Sequence, residues 1–409
     1  MTVMTYLPRT IEPVIKETSE IFKVVLLTGS RQCGKSTCME HLADDAQRER
    51  LNLDNEILLT EAKESADQFL VHHKFPVFID EIQRAPNLFL QIKAKVDEMK
   101  SYGQVWASGS QKFALMKGVA DSLAGRICPL DLMPLSIYER VGKGLEQKPY
   151  IPGEEPSKIL ETGAKEELWK TIWQGAWPRV IDMTPRQRGF FYNGLVQTYL
   201  ERDVRMEAGV EKLAEYRNFL RELALRTGQE LRIGDLAKTV GVMDRTIKGW
   251  LSLAENSGLI YLLRPYYANI GKQFVKSPKV YFTDTGLAAY LIGFTSPEKM
   301  AEYTTAGAFF ETFVIMEILK GWVHNGLQPE FFFYRDSKSQ KEIDLLIRSD
   351  GKLYPVEIKL GSHPKKDAIK NFSVLEELPE DIGHGAVICT AEAPYGLAEG
   401  VTAHSVWQI

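Results

Sequence analysis

Short apolar runs alternate with longer stretches of mixed polarity through the first third of the chain. Strands are predicted near 24–28, 49–53, 77–80, 104–108 and 127–131, each followed by a stretch with helical spacing. Strands separated by helices need crossover connections, so this region reads as α/β with a parallel sheet. Residues Gly142–Gly163 are rich in Gly, Pro, Glu and Lys and read as a linker or exposed loop. Helical periodicity then runs from Glu166 to about Arg226. Beyond it, 233–240 and 244–253 form two short amphipathic segments joined at Gly241-Val242, with Asp244 as a cap. Leu259–Leu263 and Val280–Phe282 follow as strands. The last region opens with an apolar helix, Ala308–Leu319, and continues with the strands Glu342–Ile347 and Tyr354–Lys359.

At 409 residues the chain exceeds one comfortable core, and two or three domains are expected. A net charge of −4 gives no whole-molecule attraction to nucleic acid, so any basic surface is local. The four cysteines, Cys33, Cys38, Cys128 and Cys389, have neither metal nor redox spacing, which fits a reduced, cytoplasmic setting. The N-terminus shows no basic-then-apolar leader and no run reaches membrane-spanning length, so no membrane association is expected.

Directly after the first apolar run stands GxxxxGKS: Gly29, Ser30, Arg31, Gln32, Cys33, Gly34, Lys35, Ser36, followed by Thr37. A strand leading into a glycine turn and then a helix wraps backbone N–H groups around a polyphosphate. Lys35 is expected to bridge the β- and γ-phosphates of ATP, and Ser36 to ligate Mg²⁺. The run 77–80 ends in Asp80 and Glu81, suited to hold the Mg²⁺ shell and to polarise an attacking water. Ser108, or secondly Ser110, ends the next strand and is a candidate for holding the lytic water or the γ-phosphate; an ordinary strand-end turn is the alternative. Arg126 is a candidate arginine finger acting on a neighbouring copy, or else a helix-end arginine capping carbonyls. The first choice implies a homo-oligomer; a monomeric switch is equally compatible.

Two further constellations carry chemistry. The unit 231–283 reads as a winged helix-turn-helix with Arg245, Thr246 and Lys248 on the exposed face of its second helix. Residues 264–279 add Lys272 and Lys276 among aromatics without one acid, a composition that meets phosphates; docking of a protein partner is the alternative use. In the last region, Glu357 and Lys359 share a strand face and lie near Asp344 of the preceding strand, with Glu311 on the helix before. Such acids can converge on a divalent metal, with Lys359 orienting or activating a water; a charged hairpin face is the alternative.

These residues resemble those of bacterial and archaeal ATPases that join an AAA+-type P-loop core to a C-terminal domain of unknown function. The markers are Thr28–Thr37, Phe78–Gln83, Ser122–Arg126 with Pro134-Leu135-Ser136, Tyr199–Asp203, Lys279–Leu287, Glu342–Asp344 and Val356–Lys359. Departures are Cys33 in the loop, and Ala176-Trp177-Pro178-Arg179 where Gly-Phe-Pro-Glu is common. The resemblance implies an AAA+-like core over 1–145, a linker and helical region over 146–230, a winged helix over 231–295 and a PD-(D/E)xK nuclease-like α/β domain over 296–409. Glu311, Asp344, Glu357 and Lys359 match the nuclease pattern. Three functions follow: an ATPase coupled to modules acting on DNA, an ATP-gated metal-dependent nuclease, or an ATP-state switch that docks a protein partner.

Overall fold

The computed structural model describes residues 6–110, 123–158, 160, 165–207, 210–267, 277–336 and 341–409. Five strands, β1 (Val24–Thr28), β2 (Glu49–Asn52), β3 (Val77–Asp80), β4 (Val105–Gly109) and β5 (Ile127–Asp131), form a parallel sheet in the order β2-β3-β4-β1-β5. β1, β3 and β4 are buried on both faces, which is why they read as continuous apolar runs. Alternate side chains feed two cores. Val24 and Leu26 join Leu51, Ile79 and Ile92 on one face; Val25 and Leu27 join Ile15, Met39 and Phe78 on the other.

The register brings the chemistry to one edge. Leu27 lies level with Ser108, and Ile79 with Ala107, so Asp80 at the end of β3 and Ser108 one residue before the end of β4 come to the edge where β1 hands over to the glycine turn. Gly29 is needed there: it has φ +150°, and a methyl on it would collide with the Leu132 carbonyl.

One large core draws residues from Ile137 to Ile409, and two smaller clusters, around Val387 and Leu397 and around Ile343 and Leu353, flank the C-terminal strands. Helices Lys165–Gln174 and Pro185–Tyr199 lead into a π-helical stretch, Leu200–Glu207, and then the helix Leu213–Leu225. After β6 (Gln229–Glu230), helices Ile233–Val240 and Asp244–Asn256 precede the antiparallel pair β7 (Ile260–Pro265) and β8 (Lys279–Phe282). The second of these helices begins at Asp244 with no side-chain cap, so Asp244 is its first residue rather than its cap.

The last region is built on the helix Ala306–His324 and strands β9 (Glu330–Arg335), β10 (Glu342–Ser349), β11 (Lys352–Ile358), β12 (Asp381–Ile382), β13 (Gly385–Cys389), β14 (Tyr395–Ala398) and β15 (Val401–Ser405). β9, β10 and β11 are antiparallel, whereas β11, β13 and β15 run parallel. β7 pairs with β9 through Arg264↔Phe332 and Pro265↔Phe333, so one sheet runs through the boundary expected at 295/296.

The segment expected as a linker or exposed loop keeps much of its described part exposed but is pinned to the C-terminal core as a strap at several points. Tyr150 is buried, its carbonyl accepts from Trp322 Nε1 at 3.0 Å, and Leu160 N donates to the Trp407 carbonyl at 2.9 Å. Between those anchors Lys143, Leu145, Lys148 and Gly153 stay exposed. Among the described residues, no helix is long and apolar enough to cross a membrane.

Candidate nucleotide site

The turn after β1 places Gly34, φ +100°, at the N-cap of the helix Lys35–Asp45, where no side chain caps the first turn. Its leading amides are left to an external anion, and the helix dipole favours one. The Lys35 ammonium donates to the carbonyls of Gly29 at 3.0 Å and Ser30 at 2.9 Å, folding back over its own loop. Arg9 braces the turn from behind, donating to the Cys33 carbonyl at 2.9 Å and the Met133 carbonyl at 2.8 Å.

A cleft of about 660 Å³ opens over this turn, lined by Arg31, Gln32, Gly34, Lys35, Ser36 and Thr37 of the loop and by Glu81 and Ser110. Tyr6, Leu7, Leu135 and Pro178 give it apolar walls, and Arg179 adds a cation from the helical region. The volume lies within the range of nucleotide-sized sites. Ser110 Oγ is buried with no hydrogen-bond partner among the described residues. An orphaned hydroxyl, an uncapped helix start and clustered cations fit a Mg²⁺·triphosphate.

Asp80 is 5% exposed; its carboxylate accepts from Ser108 Oγ and, at 3.1 Å, from Glu81 N. Ser108 is fully buried and spends its hydroxyl on Asp80, while Ser110 faces the cleft. Sequence did not show this, because both serines follow the same apolar run. Glu81 sits in left-handed backbone, φ +57°, and accepts from Gln83 Nε2. The sequence reading assigned Gln83 no part.

Arg126 is not brought to the cleft of its own chain. It precedes β5 at the opposite end of the sheet, one five-residue strand or roughly 17 Å from the glycine turn. There its guanidinium pairs with Asp97, NH2 to Oδ2 at 2.9 Å, and donates to the Ala124 carbonyl at 3.1 Å.

The marker Pro134-Leu135-Ser136 is a docking point. The Leu135 carbonyl accepts from Lys320 Nζ at 3.0 Å, Ile137 N donates to Glu317 at 2.8 Å, and Ser136 forms a capping box with Glu139. Glu139, fully buried, also pairs with Arg9 and His324, each at 3.1 Å. Burial would raise its carboxyl, but those two partners outweigh it and hold the group well below the ordinary carboxylate range.

In the C-terminal region Asp344 accepts from Ile358 N at 2.9 Å, and Lys359 Nζ contacts Glu357 at 2.6 Å. Burial, then the charges of Glu311 and Glu357, push the Asp344 carboxyl well above its usual range, so these acids face one another. Lys279, nearly buried, reaches Glu311 at 3.1 Å and Glu342 at 2.6 Å. Burial opposes its charge, but Glu311, Asp344 and Glu342 hold it firmly protonated. Among the described residues no group of three or more acid, histidine or cysteine side chains is arranged to hold a metal ion.

Arg245 and Lys248 are exposed on the helix Asp244–Asn256, and Thr246 is half-buried. Lys272 and Lys276 lie outside the described residues.

Residues 22–141 match the model of an AAA domain, 165–298 a domain of unknown function (DUF8612), and 306–409 another (DUF4143). An uncharacterized protein of Mycobacterium tuberculosis is 28% identical over 344 residues, 83% of this chain and 71% of the relative. One from Haemophilus influenzae is 24% identical over 358 residues, 82% of each chain. Among solved structures, a Walker-type ATPase of Pyrococcus abyssi aligns with TM-score 0.46 at 14% identity, covering 70% of this chain and 95% of that one. The RuvB Holliday junction branch migration motor of Thermotoga maritima aligns with TM-score 0.30 at 15% identity, covering 62% and 85%. The parallel-sheet core is thus the part that matches an AAA domain, and the two regions after it match families with no assigned role.

Proposed function

We propose that the protein is a Mg²⁺-dependent ATPase whose nucleotide state drives the modules that follow the core. One observation carries this reading: the uncapped helix start, Lys35 and the strand-end acids Asp80 and Glu81 meet at one edge of the sheet, above a nucleotide-sized cleft. Lys35 exchanges its two loop carbonyls for β- and γ-phosphate oxygens. Ser36 and Asp80 are the residues that would hold Mg²⁺, with Ser108 orienting Asp80. The metal supplies charge neutralisation on the phosphates. Glu81, released from Gln83, orients and deprotonates the attacking water, and Ser110 offers its hydroxyl to the γ-phosphate or that water.

Lys35→Ala should lower Mg·ATP affinity or turnover by roughly 10²-fold. Glu81→Gln should keep ATP bound while turnover drops by on the order of 10²-fold or more. Equilibrium binding and phosphate release measure both. Wild-type turnover in Lys35→Ala would end the ATPase reading.

Helices Ile233–Val240 and Asp244–Asn256 with the β7–β8 pair are read as a winged helix meeting DNA phosphates through Arg245 and Lys248, a reading supported by the exposure of both cations. DNA affinity that falls steeply with added salt supports it, and salt-independent or absent binding favours a protein partner. Arg126 as an arginine finger belongs to a homo-oligomer in which it leaves Asp97 for a neighbour's cleft.

A further inference from the structure

We infer that the Arg31 side chain is a phosphate-reading group, and that Asp203 holds it in check while the nucleotide is absent. This rests on the ATP-site reading above. Arg31 stands within the glycine turn and lines the cleft. Its Nε donates to both carboxylate oxygens of Asp203, at 2.8 and 2.7 Å, with both side chains mostly buried. Its carbonyl accepts from Trp177 Nε1 at 2.9 Å, which fixes the residue's backbone. A planar guanidinium binds carboxylate and phosphate in the same fork geometry. Asp203 is therefore an internal stand-in for a phosphate, and a triphosphate in the cleft competes with it for the same cation.

Asp203 is held by an unusual device. The helix Pro185–Tyr199 is continued by the π-helical stretch Leu200–Glu207, whose wider winding aims Asp203 at the loop. Such windings are uncommon and concentrate at functional positions. One turn earlier, Tyr199 shares a hydrogen bond of 2.9 Å with Tyr216, whose ring meets Trp250 at 5.1 Å between centroids. Trp250 belongs to the helix Asp244–Asn256, which carries Arg245 and Lys248. Gly258, just past that helix, packs on Ser30, with 3.4 Å from its Cβ position to the Ser30 Cβ. Release of Asp203 thus frees an element packed through aromatic rings onto the module proposed to meet DNA.

The test uses the full chain with Mg·AMPPNP as probe. Asp203→Asn should bind it at least fivefold more tightly than wild type, Asp203→Glu should match wild type, and Arg31→Ala should bind more weakly. In the Arg31→Ala background, Asp203→Asn should bring no gain. Unchanged or weaker binding by a folded Asp203→Asn, or an equal gain without Arg31, overturns the inference. Should that variant fail to fold, hydrogen exchange on the wild type decides: Mg·AMPPNP should speed exchange across 200–207 by several fold, and unchanged exchange there overturns it. If wild type and Lys35→Ala alike fail to bind Mg·AMPPNP, the ATP-site reading itself falls; if only the Asp203 and Arg31 outcomes fail, that reading stands.

Discussion

His404 on β15 is 6% exposed and meets Tyr150 edge-on, ring centroids 5.6 Å apart. Neither ring nitrogen has a hydrogen-bond partner among the described residues. Burial, then the nearby charge of His384, pulls its pKa from 6.5 down to about 4. Between those values the unfolded chain holds a proton that the folded chain refuses, so stability rises with pH through that window and is lost as pH falls. The loss should approach roughly 3 kcal/mol by about pH 4. Urea midpoints from pH 7 to 4 should fall more steeply for wild type than for His404→Phe; parallel slopes would remove His404 as the cause. At this scale the glycine turn before the helix Lys35–Asp45 and the place of Asp80 at the end of β3 were legible, because local spacing prescribes them. The pairing of Arg31 with Asp203, 172 positions apart, was not, since no periodicity links a loop arginine to a distant helix.

Among elements, the helix Thr285–Ile292 shows how a marker motif earns a structural meaning. Asp284 caps it, accepting from Leu287 N at 2.6 Å, from the Tyr192 hydroxyl at 2.8 Å and from Ala176 N. Gly286 lets the helix press against the helical region. A methyl there would run into the Tyr192 hydroxyl and come 2.6 Å from the Gln174 carbonyl oxygen, both fixed. Gly286→Ala should therefore destabilise the protein by about 2 kcal/mol, seen as a lower thermal midpoint. An unchanged midpoint would mean that the two helices part at little cost. The five strands of the core were readable to within a residue or so, β1, β3 and β4 because burial on both faces leaves unbroken apolar runs. The pinning of the strap before residue 160 was not readable: its Gly and Pro signal turns, and turns look alike whether packed or solvated. The π-helical winding was equally hidden, because tertiary contacts rather than local propensity select it.

For the whole molecule, the described residues divide into a two-faced core around the parallel sheet and one large core from Ile137 onward, with two smaller clusters beside the C-terminal strands. Lys320, Glu317 and His324 of the helix Ala306–His324 fasten the second to the exit of β5. A chain ending at residue 305 would lose those fastenings and lay bare the edge of β7. It should melt well below the full protein and aggregate through that edge, as light scattering on heating would register. A monodisperse truncation with an unshifted midpoint would show that the regions fold independently.

The pairing of β7 with β9 has a mechanical side as well. Backbone hydrogen bonding along this register, including Tyr266 N to the Phe333 carbonyl at 2.7 Å, ties the β7–β8 hairpin to β9, and parting the two would cost those bonds. A displacement of β7 is thereby carried into β9 and the strands that follow it in the same sheet.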